Sequence, residues 1–243
     1  MKLIKLDAID STNDFLKDLA HNQSLENFTV VTARSQTKGR GQHGAKWHTE
    51  EGKNLITSIL IKETLHNIEG VFQLNIAVAL GITEALKKIK IPSVCIKWPN
   101  DIMAENRKIA GILIENSIKG NSQIESIVGI GLNINQVNFE NLPKAASLKS
   151  ITNTDYDTLE ILESIVNEIQ GKIKLITQNQ TDRLWTEYDQ NLFKKGIPTA
   201  FEDENGNKFM GIIQGVTKIG KLAVLLEDDS VKEYGIKEIR LLF

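Results

Sequence analysis

The sequence predicts an α+β domain followed by a small β-barrel, and three observations carry that expectation. Segments with a helical repeat of apolar residues alternate with β-branched runs as far as residue 190. Beyond it, short apolar runs are broken by Asn205-Gly206, Ile219-Gly220 and Asp228-Asp229, a turn signal roughly every ten residues, as in a small barrel. A chain of 243 residues, 41% hydrophobic and 25% charged, is also long enough for one large core with an appended module. The boundary is therefore set between residues 1–189 and 190–243.

Each element has a local reason. The first helix is expected in "DSTNDFLKDLAHN", where Asp10 or Ser11 can cap the start and Phe15, Leu16, Leu19 and Ala20 recur at helical spacing. "NFTVVTARS" reads as a strand because Val30, Val31 and Thr32 are β-branched, and "NLITSILIKE" reads as the next one. "VFQLNIAVALGITEALKKI" has the length and period of a buried helix, with Gly81 tolerated inside it. "SVCIKWPND" is a strand stopped by Pro99, which has no N–H for the ladder. "RKIAGILIENSI" and "QIESIVGIGLNIN" flank "KGNS", a hairpin turn signal. A helix over roughly 157–177 carries Leu159, Leu162, Val166, Ile169 and Ile173 on one side.

Bulk properties exclude several classes. A net charge of −2 gives no overall attraction to nucleic acid or anionic membrane. No apolar run is long enough to span a bilayer, and "MKLIKLDAID" does not read as a signal peptide. The single Cys95 cannot form an internal disulfide, which suits a reducing compartment. The expected location is the cytoplasm.

Three segments carry chemistry. "TKGRGQHGAKW" (37–47) packs three glycines, three cations and Trp47 into eleven residues. Gly39, Gly41 and Gly44 permit positive φ, successive N–H groups can cradle an anion, and Arg40 adds a fork of donors for a carboxylate or phosphate. A solvated basic loop or a nucleic-acid loop would read the same way; a P-loop would not, since no Gly-Lys-Ser/Thr follows. "KWPND" offers Lys97, Asn100 and Asp101 at a strand end, and a plain turn explains all but its Lys-Trp. Lys108 leads "KIAGILIE", with Gly111 giving backbone access, although a lone lysine there is often only solvated. "GIGLNIN" loses side chains at Gly129 and Gly131, which suggests that something packs against it.

"GRGQHGAKW", "KWPND", "RKIAGILIE" and "GIGLNIN", in this order and with "STN" near the start, resemble the biotin protein ligase family. The resemblance covers essentially the whole chain. It implies an α+β catalytic domain, a mixed β-sheet with packed helices of the class II aminoacyl-tRNA synthetase/biotin ligase kind, followed by an SH3-like barrel. It implies a ligase that joins biotin to ATP as biotinyl-5′-AMP and passes it to a lysine of a biotin carboxyl carrier domain. Mg2+ is expected with the ATP. Because "DSTN" begins at residue 10, the resemblance is to the ligase-only class, without a DNA-binding domain; no DNA or membrane partner is expected, and a homodimer is left open.

By the same resemblance, Ser11, Thr12, Asn13 and Gln36 line the biotin site, and Gly39, Arg40, Gly41 and Gln42 form the phosphate and carboxylate loop. Lys108 bridges biotin's carboxylate and the α-phosphate, Gly111, Gly129 and Gly131 give backbone access, and Trp47 packs over biotin. Asn100, Asp101 and Asn133 fall at the nucleotide end with Lys97, and Arg240 is expected to reach the adenine. Asn100 and Asp101 are the metal candidates; Arg40, Lys108 and Asp101 are the catalytic ones. Many members have a second arginine where this chain has Gln42; Lys38, Lys46, Lys53, Arg107 and His43 are the cations that can compensate. Lipoate and octanoate transferases share the fold, but their Gly-rich segment before Val-x-His is not found here. A non-enzymatic biotin sensor would keep the pocket without Asp101 and Lys108, and both are present.

Overall fold

Seven strands form one mixed sheet in the order β1-β2-β3-β7-β6-β5-β4, and a second, five-stranded antiparallel sheet follows it in the chain. The computed structural model describes residues 2–47, 49–62, 70–118, 124–140 and 142–243. The expected "KGNS" turn lies outside the described residues. The first sheet comprises β1 (Lys2–Ile9), β2 (Thr29–Gln36), β3 (Leu55–Ile61), β4 (Cys95–Lys97), β5 (Asp101–Ala104), β6 (Arg107–Ile118) and β7 (Ile124–Leu132). Only β1 and β2 pair in parallel; the other neighbours run antiparallel.

Alternation along the central strands divides the molecule into two layers. Val30, Ile59 and Val128 belong to the large core beneath α2 (Gly70–Lys88) and α4 (Thr158–Thr177). Their neighbours Val31, Leu60 and Ile127 point the other way and pack with Leu16 of α1 (Thr12–Asn22). Of the two caps considered for α1, Ser11 is the one used: its Oγ accepts from Asp14 N–H at 3.3 Å. Asp157 caps α4 by accepting from the N–H groups of Leu159 and Glu160. Gly81 does more than sit harmlessly in α2. A Cβ there would lie 2.6 Å from Ile169 Cγ1 and 2.8 Å from the Ile169 backbone nitrogen, so the two helices cross at that glycine.

Four elements were not anticipated. β1 reads as charged and exposed because it is an edge strand, where lysines discourage pairing with other chains. β5 was hidden in the residues after Pro99, and the short helices α3 (Leu148–Thr152) and α5 (Thr181–Gln190) offer few apolar residues to mark them. The second sheet contains β8 (Pro198–Asp203), β9 (Lys208–Val216), β10 (Leu222–Leu225), β11 (Val231–Tyr234) and β12 (Ile239–Leu242), ordered β11-β10-β9-β8-β12. All three expected turns fall between its strands, and Gly206, Gly220 and Asp229 have positive φ. Phe201, Phe209 and Tyr234 stack in its interior.

The Gly81 contact gives a direct test of the helix crossing. Gly81→Ala forces a methyl against the backbone of α4, and overpacking of this kind costs about 1–3 kcal/mol. Urea unfolding should show that loss; an unchanged midpoint would mean the helices separate there without penalty.

Candidate active site

The register of the first sheet lines up a row of positions across five strands. Lys97 pairs with Asp101, Asp101 with Gly111, Gly111 with Gly131, and Gly131 with Ile56. Two residues along, Leu113, Gly129 and Ser58 form the next row, so both rows occupy the same face, the one that carries α1.

Lys108 reaches this face only because of a bulge. Strict alternation would send a residue three positions from Gly111 to the opposite side. Ile102 pairs with Ala110, but Met103 pairs with Lys108, leaving Ile109 as the extra residue. Met103 shares a face with Asp101, and Lys108 therefore joins it. The bulged backbone is held from outside: Lys108 N–H donates to the Lys144 carbonyl at 2.7 Å, and Ala146 N–H to the Lys108 carbonyl at 2.9 Å. Lys108 Nζ then lies 2.6 Å from Asp101 Oδ1, while Lys97 Nζ lies 3.3 Å from Oδ2. The Asp101 carboxylate is only 14% exposed, so the lysines offset the cost of placing it there.

The glycine loop folds back over these rows. Arg40 and Lys46 form a bridge, and Trp47 N–H donates to the Gly39 carbonyl at 3.0 Å. The Trp47 indole fills the space left at the glycine row: a Cβ on Gly131 would sit 2.7 Å from its Cζ2, and one on Gly111 would meet Cζ3 at 3.4 Å. Lys108 Nζ stands 5.7 Å from the indole ring centre. Of the three loop glycines that permit positive φ, Gly44 alone adopts it. Gly41 lies in the extended region, and Gly39 is needed for room, since its Cβ would fall 2.5 Å from the Trp47 carbonyl oxygen.

The other end of the site is a buried polar chain. Gln36 Oε1 accepts from Thr12 N–H at 2.7 Å. Ser58 donates to Asn13 Oδ1 at 2.6 Å, because an amide oxygen brings no proton of its own. The Thr12 hydroxyl, 2.8 Å from Ser58 Oγ and 3.0 Å from Gln36 Oε1, joins the two halves. Asn13 Nδ2 donates to Glu115 Oε2 at 2.7 Å, and Arg40 Nη2 lies 3.7 Å from the same oxygen. Arg40 is also paired with Asp14 at the start of α1. Asn13 fits only because Gly129 has no side chain: a Cβ there would be 2.5 Å from Asn13 Oδ1.

Ser11, Thr12, Asn13, Gln36, Arg40, Gly41, Gln42, Trp47, Lys97, Asn100, Asp101, Lys108, Gly111, Gly129 and Gly131 all line one cavity of about 330 Å3. Three expected residues do not. Gly39 is buried within the loop, against the Trp47 carbonyl and Gln36. Asn133 is buried with its Nδ2 on the Ala146 carbonyl at 3.0 Å. Arg240 stands on β12, exposed and paired with Glu202 at 2.7 Å. Asn100 lines the cavity while its Nδ2 donates to the Ile112 carbonyl. Of the cations set against Gln42, Lys46 lines the cavity, whereas Lys38 is paired with Asp10 at 2.8 Å and Lys53 and Arg107 lie off the lining. The His43 side chain lies outside the described residues. Cys95 lies off the cavity, and burial pushes its thiol up to about 11, which disfavours the thiolate.

Ser58 and Glu115 were missed. Ser58 is visible as a polar residue inside the apolar run "LITSILI", where strand formation alone already accounts for the segment. Glu115 sits seven positions beyond Lys108 and only the register shows that it faces Asn13.

Comparison with known proteins gives the site its relatives. The Biotin/lipoate A/B protein ligase family matches residues 6–135. The chain belongs to that family. It is 27% identical over 232 residues to the bifunctional ligase/repressor BirA of Escherichia coli strain K12, a match covering 93% of this chain and 69% of BirA. The biotin--[acetyl-CoA-carboxylase] ligase of Mycobacterium tuberculosis is 28% identical over 218 residues, covering 88% of this chain and 79% of that protein. The biotin protein ligase of Aquifex aeolicus, in complex with biotin and ATP, superposes with a TM-score of 0.82 at 29% identity, covering 99% and 98% of the two chains.

In this member of the biotin/lipoate family, Ser58 should matter beyond its strand. Ser58→Ala leaves Asn13 Oδ1 buried without a donor, a loss of about 1–3 kcal/mol. Chemical denaturation measures it; wild-type stability in the variant would show that the polar chain is not closed through Ser58.

Proposed function

We propose that this chain is a biotin ligase that forms biotinyl-5′-AMP from biotin and ATP and transfers the biotinyl group to a lysine of a carboxyl carrier domain. The observation that carries this reading is the polarity of one cavity. Its Thr12–Gln36–Asn13 end is neutral and hydrogen-bonding, its middle is covered by an indole, and its far end gathers Lys97 and Lys108 around one carboxylate. A urea-like ring suits the first, an aliphatic chain the second, and two converging anions the third.

Each half-reaction draws on these residues. In the first, an oxygen of biotin's carboxylate attacks the α-phosphorus, and the bond to pyrophosphate breaks. Lys108, Arg40 and Lys97 offset the repulsion between the two anions and stabilise the charge spread over the transferring group. Arg40 must leave Asp14 to do so, which couples ligand arrival to closure of the 37–47 loop. In the second, a lysine amine attacks the acyl carbon and AMP departs. That amine, with an ordinary pKa of about 10.4, must lose a proton, and Asp101 is the carboxylate placed to help. The closed loop keeps water from the anhydride.

The donor set also fits a metal that arrives with its nucleotide. Among the described residues, no group of three or more His, Cys, Asp or Glu side chains gathers to hold an ion. One carboxylate, Asp101, with Asn100 beside it, suits Mg2+ that is bound mainly through phosphate oxygens. We extend the reading to the rest of the chain: within residues 190–243, the short antiparallel strands, with a register shift at Ala223/Val224, suit an SH3-like barrel packed on the same core as the first sheet. A single cysteine, which can form no internal disulfide, supports work in the cytoplasm. No helix among the described residues is long and apolar enough to cross a membrane.

Incubation with ATP, a carrier domain and either labelled biotin or labelled lipoate tests the activity; transfer of lipoate alone would overturn the assignment. Lys108→Ala should slow biotinyl-AMP synthesis by about 1.5–3 kcal/mol, the scale of a charged hydrogen bond. Asp101→Asn should slow both synthesis and the single-turnover transfer from preformed biotinyl-AMP. Unchanged transfer would confine Asp101 to the first half-reaction.

A further inference from the structure

We infer that Trp98 and Asn75 are positioning residues for the reaction, fixing the turn that places Lys97 and Asp101. The inference rests on the reading of the cavity given above. Trp98, Pro99 and Asn100 form a three-residue turn between β4 and β5, and Lys97 and Asp101 are the register pair that closes it. Any shift of the turn therefore moves both residues of the pair, and with them the partner of Lys108.

Each residue of the turn is held by a different element. Asn100 is tied to β6, where Ile112 N–H donates to its carbonyl at 3.0 Å and its Nδ2 returns a bond to the Ile112 carbonyl at 2.7 Å. Pro99 has no N–H, so its carbonyl is its one backbone handle, and Asn75 Nδ2 of α2 donates to it at 2.8 Å. Trp98 is buried, and its indole N–H donates to the Gly220 carbonyl at 2.9 Å, in the turn between β9 and β10 of the second sheet. Sequence-based turn chemistry accounts for a proline and an asparagine here, but not for a tryptophan. The Gly220 contact supplies its reason.

Gly220 is itself fixed. Its φ of +87° disfavours any other residue, and a Cβ would lie 2.6 Å from Phe72 Cδ2. Phe72 and Asn75 are three residues apart on α2, on one face of the helix, so the same helix braces both Gly220 and Pro99. Phe72 in turn stacks on Trp185 of α5, with centroids 5.9 Å apart. Neither Trp98, Asn75 nor Gly220 lines the cavity. They act on the reaction through Lys97 and Asp101.

The test uses the full chain with Trp98→Phe and Asn75→Leu, which remove the donors and keep most of the bulk. Pre-steady-state formation of biotinyl-AMP separates positioning from folding. A positioning role predicts a burst rate lower by about tenfold in each variant, with the burst amplitude per chain and the biotin affinity unchanged. A wild-type burst rate in both variants overturns the inference. So does a reduced amplitude at the wild-type rate, which would mean only that fewer molecules are folded. A wild-type chain that forms no biotinyl-AMP would sink the reading of the cavity itself, a result distinct from either of those.

Discussion

The reactive end of this site depends on one irregularity in a ladder. The extra residue at Ile109 puts Lys108 on the face of Asp101 and Gly111, where alternation would have hidden it. From that placement follow the Lys108–Asp101 ion pair, the second pairing of Asp101 with Lys97, and the approach of Lys108 to the Trp47 ring. The bulge is not left to itself. The 144–146 segment pairs with its open backbone groups, beside the buried positions Ile109 and Ala110. Two cations and one carboxylate thereby share a small volume at a net positive charge, a suitable resting state for a place that receives anions.

Space is the second resource of the site. Glycines at 111, 129 and 131 remove side chains from one face of the central strands, and the protein's own Trp47 and Asn13 move into the vacated room. These two residues come from different elements, one from the loop after β2 and one from the first turn of α1. The buried chain from Gln36 through Thr12, Ser58 and Asn13 to Glu115 then links the neutral end of the cavity to Arg40. A polar network of this kind is stable only when each member has a partner, so it fixes orientations as well as positions. The arginine at its end is shared between Asp14 and Glu115, which leaves it ordered yet within reach of a stronger anion.

Much of this was legible in the sequence because the signals are local. The helices α1, α2 and α4 announce themselves by apolar spacing and caps, and the turns of the second sheet by glycine, asparagine and aspartate pairs. Most of the residues that the motifs single out line one cavity, although they are far apart in the chain. Where local pattern was weak, the reading failed. β1 is an edge strand with charges on it, β5 is too short to show a period, and α5 presents few apolar residues.

By itself, the sequence determined which residue types are available: glycines where side chains must be absent, cations in the loop and at strand ends, and a tryptophan beside a proline. It could do so because conformational preference is written over a few adjacent residues. The tertiary structure alone decided which of them meet. Register across five strands aligns Lys97, Asp101, Gly111 and Gly131; a bulge turns Lys108 toward them; and a carbonyl from another sheet explains Trp98. Arg240, by contrast, points to solvent from β12, beside Glu202. The reason is that strand register and packing between sheets are set by contacts between distant parts of the chain, and a one-residue difference in pairing reverses the face on which every side chain emerges.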